Sequence, residues 1–167
     1  MKNNIYNKYK IAVIGLGYVG FPLAIEFSKY FNVKAFDIDK KRINELKNSY
    51  DRNSTSSKKL NLNNKNINYT SNIKELRICN FYIITVPTPI NKNNNPDLRF
   101  IRSACSLVSK ILKTDDIIVF ESTVYPGLTE NFCVPLIERY SKLTYLKDFF
   151  VGYSPERINP GDKKRTL

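Results

Sequence analysis

At 167 residues, 42% apolar and 25% charged, the chain fits one globular domain able to bury a core without disulfides or metals. It has no histidine, and its three cysteines lie far apart with no C-x-x-C pair, which excludes a zinc site, a Ser-His-Asp triad and a Cys-His dyad. The net charge of +12 invites a nucleic-acid reading, but the lysines are scattered among asparagines, as in 61–66 and 91–95. That pattern predicts solvated loops that steer anions, not a nucleic-acid groove.

Residues 1–9 are expected to be a flexible N-terminus. The lysines from Lys2 to Lys10 before an apolar run imitate a secretory signal, yet three glycines interrupt the run, no small-residue cleavage site follows and Glu26 comes early. No stretch is long enough to span a bilayer. Cys79, Cys105 and Cys133 are expected to be reduced core thiols of a cytoplasmic protein.

Ile11, Ala12, Val13 and Ile14 form a β-branched strand that runs straight into Gly15-Leu16-Gly17-Tyr18-Val19-Gly20, a G-x-G-x-x-G sequence. Each glycine has a mechanical reason. Gly15 permits the strand-to-helix turn, Gly17 lets a pyrophosphate approach the backbone, and Gly20 lets the helix pack closely. A helix is expected over about 19–30, with Tyr18 as its cap and Pro22 in its first turn, where no intrahelical N–H is lost. A second strand over 33–37 ends on Asp37, about 20 residues past the glycines, the spacing of an acid that binds a ribose diol and repels a 2′-phosphate. NAD is therefore favoured over NADP.

Asp39 is expected to cap a helix holding Ile43 and Leu46, and 50–64 to be a mobile Ser/Asn/Lys-rich loop. A short strand at 67–70 and a helix opened by Ser71 follow. The continuous apolar run 81–86 has the character of a strand buried on both faces, stopped by Pro87-Thr88-Pro89. A helix over about 97–112, a strand at 117–121, a helix over 129–140 bent at Pro135, and a last strand at 149–153 complete the series. Six strands alternating with helices predict an α/β fold, a doubly wound parallel six-stranded sheet in a single domain.

In such a sheet, ligands bind beyond the carboxyl ends of the strands. The clusters at Gly15 to Gly20, Asp37, Pro87-Thr88-Pro89, Ser122-Thr123 and Ser154-Pro155-Glu156-Arg157 all fall there. Singly, each has a plainer explanation: a rigid exit at Pro87, a β-turn at Tyr125-Pro126-Gly127, a solvated ion pair at Glu156 and Arg157. Their shared edge favours a site.

With the motifs KIAVIGLGYVG, PLA, FDID, VPTP, ESTVYPG and SPERINPGD in this order, the chain resembles the NAD-binding Rossmann domain of the UDP-glucose/GDP-mannose dehydrogenase family from Lys10 onward. SPER followed by INPGD is most similar to the UDP-N-acetylhexosamine branch used for surface polysaccharide precursors; Pro160, near the position of an acid in the UDP-glucose branch, argues against that sugar. The resemblance implies a two-step, NAD-dependent oxidation of a UDP-N-acetylhexosamine to its uronic acid. It implies that Gly15, Leu16, Gly17, Tyr18, Val19 and Gly20 hold the pyrophosphate, Asp37 and Arg42 the adenosine ribose, and Thr88 and Thr123 the rest of the cofactor. Thr123 would also place a catalytic water, Glu156 would act as general acid–base, and Arg157 would position substrate. Residues 154–167 would begin the substrate-site loop.

The resemblance implies that the family's central helical and UDP-binding C-terminal domains, with the nucleophilic cysteine, are expected outside these 167 residues. The chain alone is expected to bind NAD weakly and not to turn over, with a companion polypeptide as one possible source of the missing half. A nucleotide-sensing Rossmann module without catalysis is the alternative. It shares the glycines and Asp37 but has no use for Pro-Thr-Pro, Ser-Thr and Pro-Glu-Arg at successive strand ends.

Overall fold

The computed structural model describes residues 8–53, 64–90 and 93–155. The expected flexible N-terminus, most of the 50–64 loop, and Glu156 and Arg157 lie wholly or largely outside them.

The apolar runs become β1 (Lys10–Ile14), β2 (Asn32–Phe36), β3 (Ile67–Thr70), β4 (Phe81–Ile84), β5 (Asp116–Phe120) and β6 (Phe149–Tyr153). All neighbours pair in parallel in the order β3-β2-β1-β4-β5-β6. This is the doubly wound order in which the chain leaves β3, crosses to the far side of β1 and builds the second half outward. The intervening helices are α1 (Gly20–Phe27), α2 (Lys40–Lys47), α3 (Arg99–Ser109) and α4 (Val134–Ser141).

Period-two alternation on β1 divides the core. Ile11 and Val13 pack with Phe21 and Ala24 of α1 and Ile43 and Leu46 of α2. Ala12 and Ile14 face the other way, into a core shared with Ile101, Cys105 and Val108 of α3 and Leu136 and Ile137 of α4. A strand buried on both faces must be apolar at every position, and β1 and β4 are nearly so.

Several boundaries differ from the pattern-based expectation. Helix α1 starts at Gly20 with Val19 at its cap, which places Pro22 at the third helical position, and it ends at Phe27, two tighter turns then carrying the chain to Tyr30. After β3 the chain forms a 3-10 helix (Ile73–Ile78), capped by Asn72, whose side chain accepts the Lys74 N–H; Ser71 does not cap it.

Pro135 does not bend a continuing helix. It falls in the first turn of α4, after a π-helical turn (Thr129–Cys133) in which the Val134 N–H reaches Thr129 O, five residues back. The proline has no N–H, and its ring would crowd the carbonyl four residues back, so the wider turn takes up the mismatch. At Gly127 the backbone has φ +86°, and the Leu128 N–H closes the preceding turn onto Tyr125 O at 3.2 Å.

Candidate functional site

The loop between β1 and α1 is built by its glycines. Gly15 has φ +98°, a left-handed conformation that side chains disfavour, and its N–H donates to Phe36 O at 2.9 Å. Thr85, just past β4, donates its hydroxyl to Gly15 O at 2.7 Å and to Ile14 O at 3.1 Å. A Cβ on Gly20 would collide with Gly15 O and Thr85 Oγ1, so the start of α1 lies against both the loop and β4. Gly17 is the opposite case: a Cβ there would have nothing within 4 Å, so this glycine faces open space.

Asp37, one residue past β2, aims its carboxylate at this loop. Oδ2 accepts the Leu16 N–H at 2.8 Å and Oδ1 the Asp39 N–H at 2.9 Å. Arg42 of α2 donates from Nε to Leu16 O at 2.8 Å. Its guanidinium is almost fully buried, lies over the Phe21 ring at 5.3 Å, and brings Nη1 to 2.7 Å from Asp51 Oδ1. That last contact is an ion pair whose N–H is not aligned on the oxygen. Arg42 Nη2 and the Tyr69 hydroxyl are buried without a hydrogen-bond partner among the described residues.

Beside these groups opens a cavity of about 350 Å³. One wall is Gly15, Leu16, Gly17, Asp37 and Arg42; a second is Thr85, Val86 and Pro87 at the exit of β4. The third was not foreseen. Phe100, Ser103, Ala104 and Leu107 of α3 belong to it, and Ile38, Asp39, Arg52 and Asn53 complete the lining. Phe100 is a large apolar side chain left 43% exposed beside the core-facing Ile101 and Ala104, and that off-face position was its signal in the sequence.

Thr88 and Thr123 do not line the cavity but lie farther along the same carboxyl edge, where Thr88 Oγ1 donates to Thr123 O at 2.6 Å. Ser122 ties the exits together by donating to Val86 O at 2.6 Å. Tyr18 and Val19 continue from Gly17 toward α1, with Tyr18 exposed. The Ser154 N–H holds the chain beyond β6 to Phe120 O at 3.0 Å. Asp39, capping α2, has its carboxyl held below the usual range, first by the Lys41 N–H.

The expected core thiols are buried. Cys79 donates to Ile11 O at 3.7 Å, and burial pushes its thiol up to about 11. Contact with Cys133, and then burial, raise Cys105 further. Among the described residues no helix is long and apolar enough to cross a membrane.

A glycine loop feeding a helix N-terminus, with an acid from the neighbouring strand closing over it, is the device by which doubly wound sheets bind dinucleotides. The fold and this edge thus define a dinucleotide-binding domain. More narrowly, residues 9–166 match the NAD binding domain of the UDP-glucose/GDP-mannose dehydrogenase family, and the chain belongs to that family.

The chain is 53% identical over 161 residues to a UDP-N-acetyl-D-glucosamine 6-dehydrogenase of Salmonella typhi, covering 96% of this chain and 38% of that protein. It is 56% identical over 158 residues to Protein CapL of Staphylococcus aureus, covering 94% and 37%. Among solved structures, a UDP-D-ManNAc dehydrogenase from Pyrococcus horikoshii superposes with a TM-score of 0.84 at 30% identity, covering 91% of this chain and 37% of that one. The chain therefore spans under two fifths of the length of these relatives.

Proposed function

We propose that the chain is the NAD-holding part of a nucleotide-sugar 6-dehydrogenase that oxidises a UDP-N-acetylhexosamine to its uronic acid in surface polysaccharide synthesis. The observation that carries this reading is the cavity between the glycine loop and Asp37, in a chain about half identical to a UDP-N-acetyl-D-glucosamine 6-dehydrogenase.

The residues fit the cofactor. The open space at Gly17 admits a diphosphate to the backbone, and the first turn of α1 offers N–H groups and a partial positive charge to it. Asp37 retains lone pairs for ribose hydroxyls beyond the two N–H groups it accepts. Phe100, Leu107 and Ile38 supply apolar surface for a base, and Arg42 supports the ribose end through Leu16.

Thr88 and Thr123, joined to each other, extend the binding edge toward the reacting end of the cofactor. Bound NAD supplies the hydride acceptor. In this reading Glu156 holds and moves the proton at the reacting carbon, Thr123 orients water, and Arg157 binds the substrate.

The chain by itself binds NAD weakly and does not turn over. Cys79, Cys105 and Cys133 are buried, and the Cys79 and Cys105 thiols are raised, so none presents a thiolate to a carbonyl. A companion polypeptide carrying the nucleophile would complete the site.

Calorimetric titration with NAD tests the binding half; no heat of binding at millimolar cofactor would refute it. For the substrate half, residues 9–166 are exchanged for the equivalent segment of the Salmonella typhi relative. The chimera is expected to reduce NAD in the presence of UDP-N-acetylglucosamine, and a folded chimera without that activity would sink the assignment.

A further inference from the structure

Two guanidinium groups line the cavity, and both are already paired with carboxylates. Arg42 is buried against Asp51. Arg52 lines the same cavity as Asp37 and is 40% exposed; its Nε lies 2.5 Å from Glu45 Oε2 and its Nη1 3.3 Å from Asp39 Oδ2. A cation at the ribose edge is what a 2′-phosphate needs, and a cation balanced by two acids cannot supply it.

We propose that Arg52 is a latent 2′-phosphate site held shut by Asp39 and Glu45, so that this carboxylate pair, together with Asp37, sets the choice of NAD over NADP. This rests on the reading that the cavity takes the adenosine half of the cofactor.

Two observations favour this division of labour. Asp37 has both oxygens engaged by Leu16 and Asp39 N–H groups, so changing it disturbs the loop as well as the charge. Asp39 and Glu45 are themselves partly exposed. Ion pairs of that kind contribute little to folding stability, so loss of the acids frees the guanidinium without unfolding the wall. A freed Arg52 then meets phosphate oxygens with paired N–H donors, a geometry that guanidinium satisfies better than ammonium.

The test compares NAD and NADP by calorimetry on the 167-residue chain and three variants, with circular dichroism and melting as checks on folding. Asp39→Asn keeps the cap on α2, since asparagine caps as well as aspartate, and Glu45→Gln keeps the side-chain shape. The variants are Asp39→Asn alone, Asp39→Asn with Glu45→Gln, and that pair with Arg52→Ala.

Affinity for NADP relative to NAD should rise about tenfold or more in the pair. The single variant should give a smaller gain in the same direction. Adding Arg52→Ala should return this ratio to the starting level. NAD binding with no gain in the ratio in either folded variant, or a gain that survives Arg52→Ala, would overturn the inference alone. A starting chain that binds no NAD would instead refute the reading of the cavity, and this inference with it.

Discussion

Asp37 accepts the backbone N–H of Leu16 at 2.8 Å across 21 residues of sequence. Arg42 donates to the carbonyl of the same residue at 2.8 Å, so both backbone groups of Leu16 are clamped from the β2–α2 side. The acid read from its spacing as a ribose ligand is thus also a strut of the loop that would hold the diphosphate. Scaffold and ligand function cannot be separated at this position.

Asp37→Ala is therefore expected to lower stability as well as cofactor affinity. Two N–H donors lose their acceptor in a partly buried setting, a cost of about 1–3 kcal/mol. Denaturant unfolding and NAD titration on the same preparation check it. A variant with an unchanged midpoint would show that water replaces the carboxylate freely.

The second and third glycines of the loop should separate folding from binding. Gly17→Ala adds a Cβ into open space, so unfolding should change by no more than about 1 kcal/mol while NAD affinity drops at least several-fold. Gly20→Ala drives its Cβ into the Gly15 carbonyl and should destabilise by about 1–3 kcal/mol. If Gly17→Ala bound NAD as well as the parent, the diphosphate would not approach there.

Arg42 should behave as a buried pair member. Arg42→Ala leaves the nearly buried Asp51 carboxylate without its closest cation and Leu16 O without its donor, a loss of about 3–5 kcal/mol. Combining Arg42→Met with Asp51→Leu should recover part of that loss, because no unpaired charge remains. A double variant as unstable as the sum of the singles would argue that the pair is not coupled.

Alkali should weaken the fold in a defined direction. Burial raises Cys79 to about 11 and raises Tyr69 and Tyr82 above the usual phenol range. Contact with Cys133, then burial, raises Cys105. Groups whose folded value exceeds the unfolded one hold more protons when folded, so their contribution is complete below the unfolded value, about 8.5 for a thiol. It is lost as pH rises toward the folded one. Melting temperature should fall steadily from about pH 9 to 11. At pH 8 Ellman's reagent should find no thiol until denaturant is added; prompt reaction in the native chain would contradict the burial.

The strand–helix alternation, the glycine turn and the acid beyond β2 were legible because each is a local pattern: period two or 3.6, or a residue that tolerates positive φ. The π-turn before Pro135 was less so. Helical periodicity continues through 129–140, and only the fit of the proline ring against the carbonyl four residues back decides where the regular helix begins.

Sequence alone determined the order of elements, the parallel sheet and the edge where polar clusters gather, since these follow from apolar periodicity and chain punctuation. Tertiary structure alone decided that Asp37 and Arg42 grip Leu16, that Thr88 meets Thr123 across 35 residues, and that Phe100 and Leu107 wall the cavity. Such contacts join positions with no common period. They exist only once the β3-β2-β1-β4-β5-β6 order has brought distant strand ends side by side.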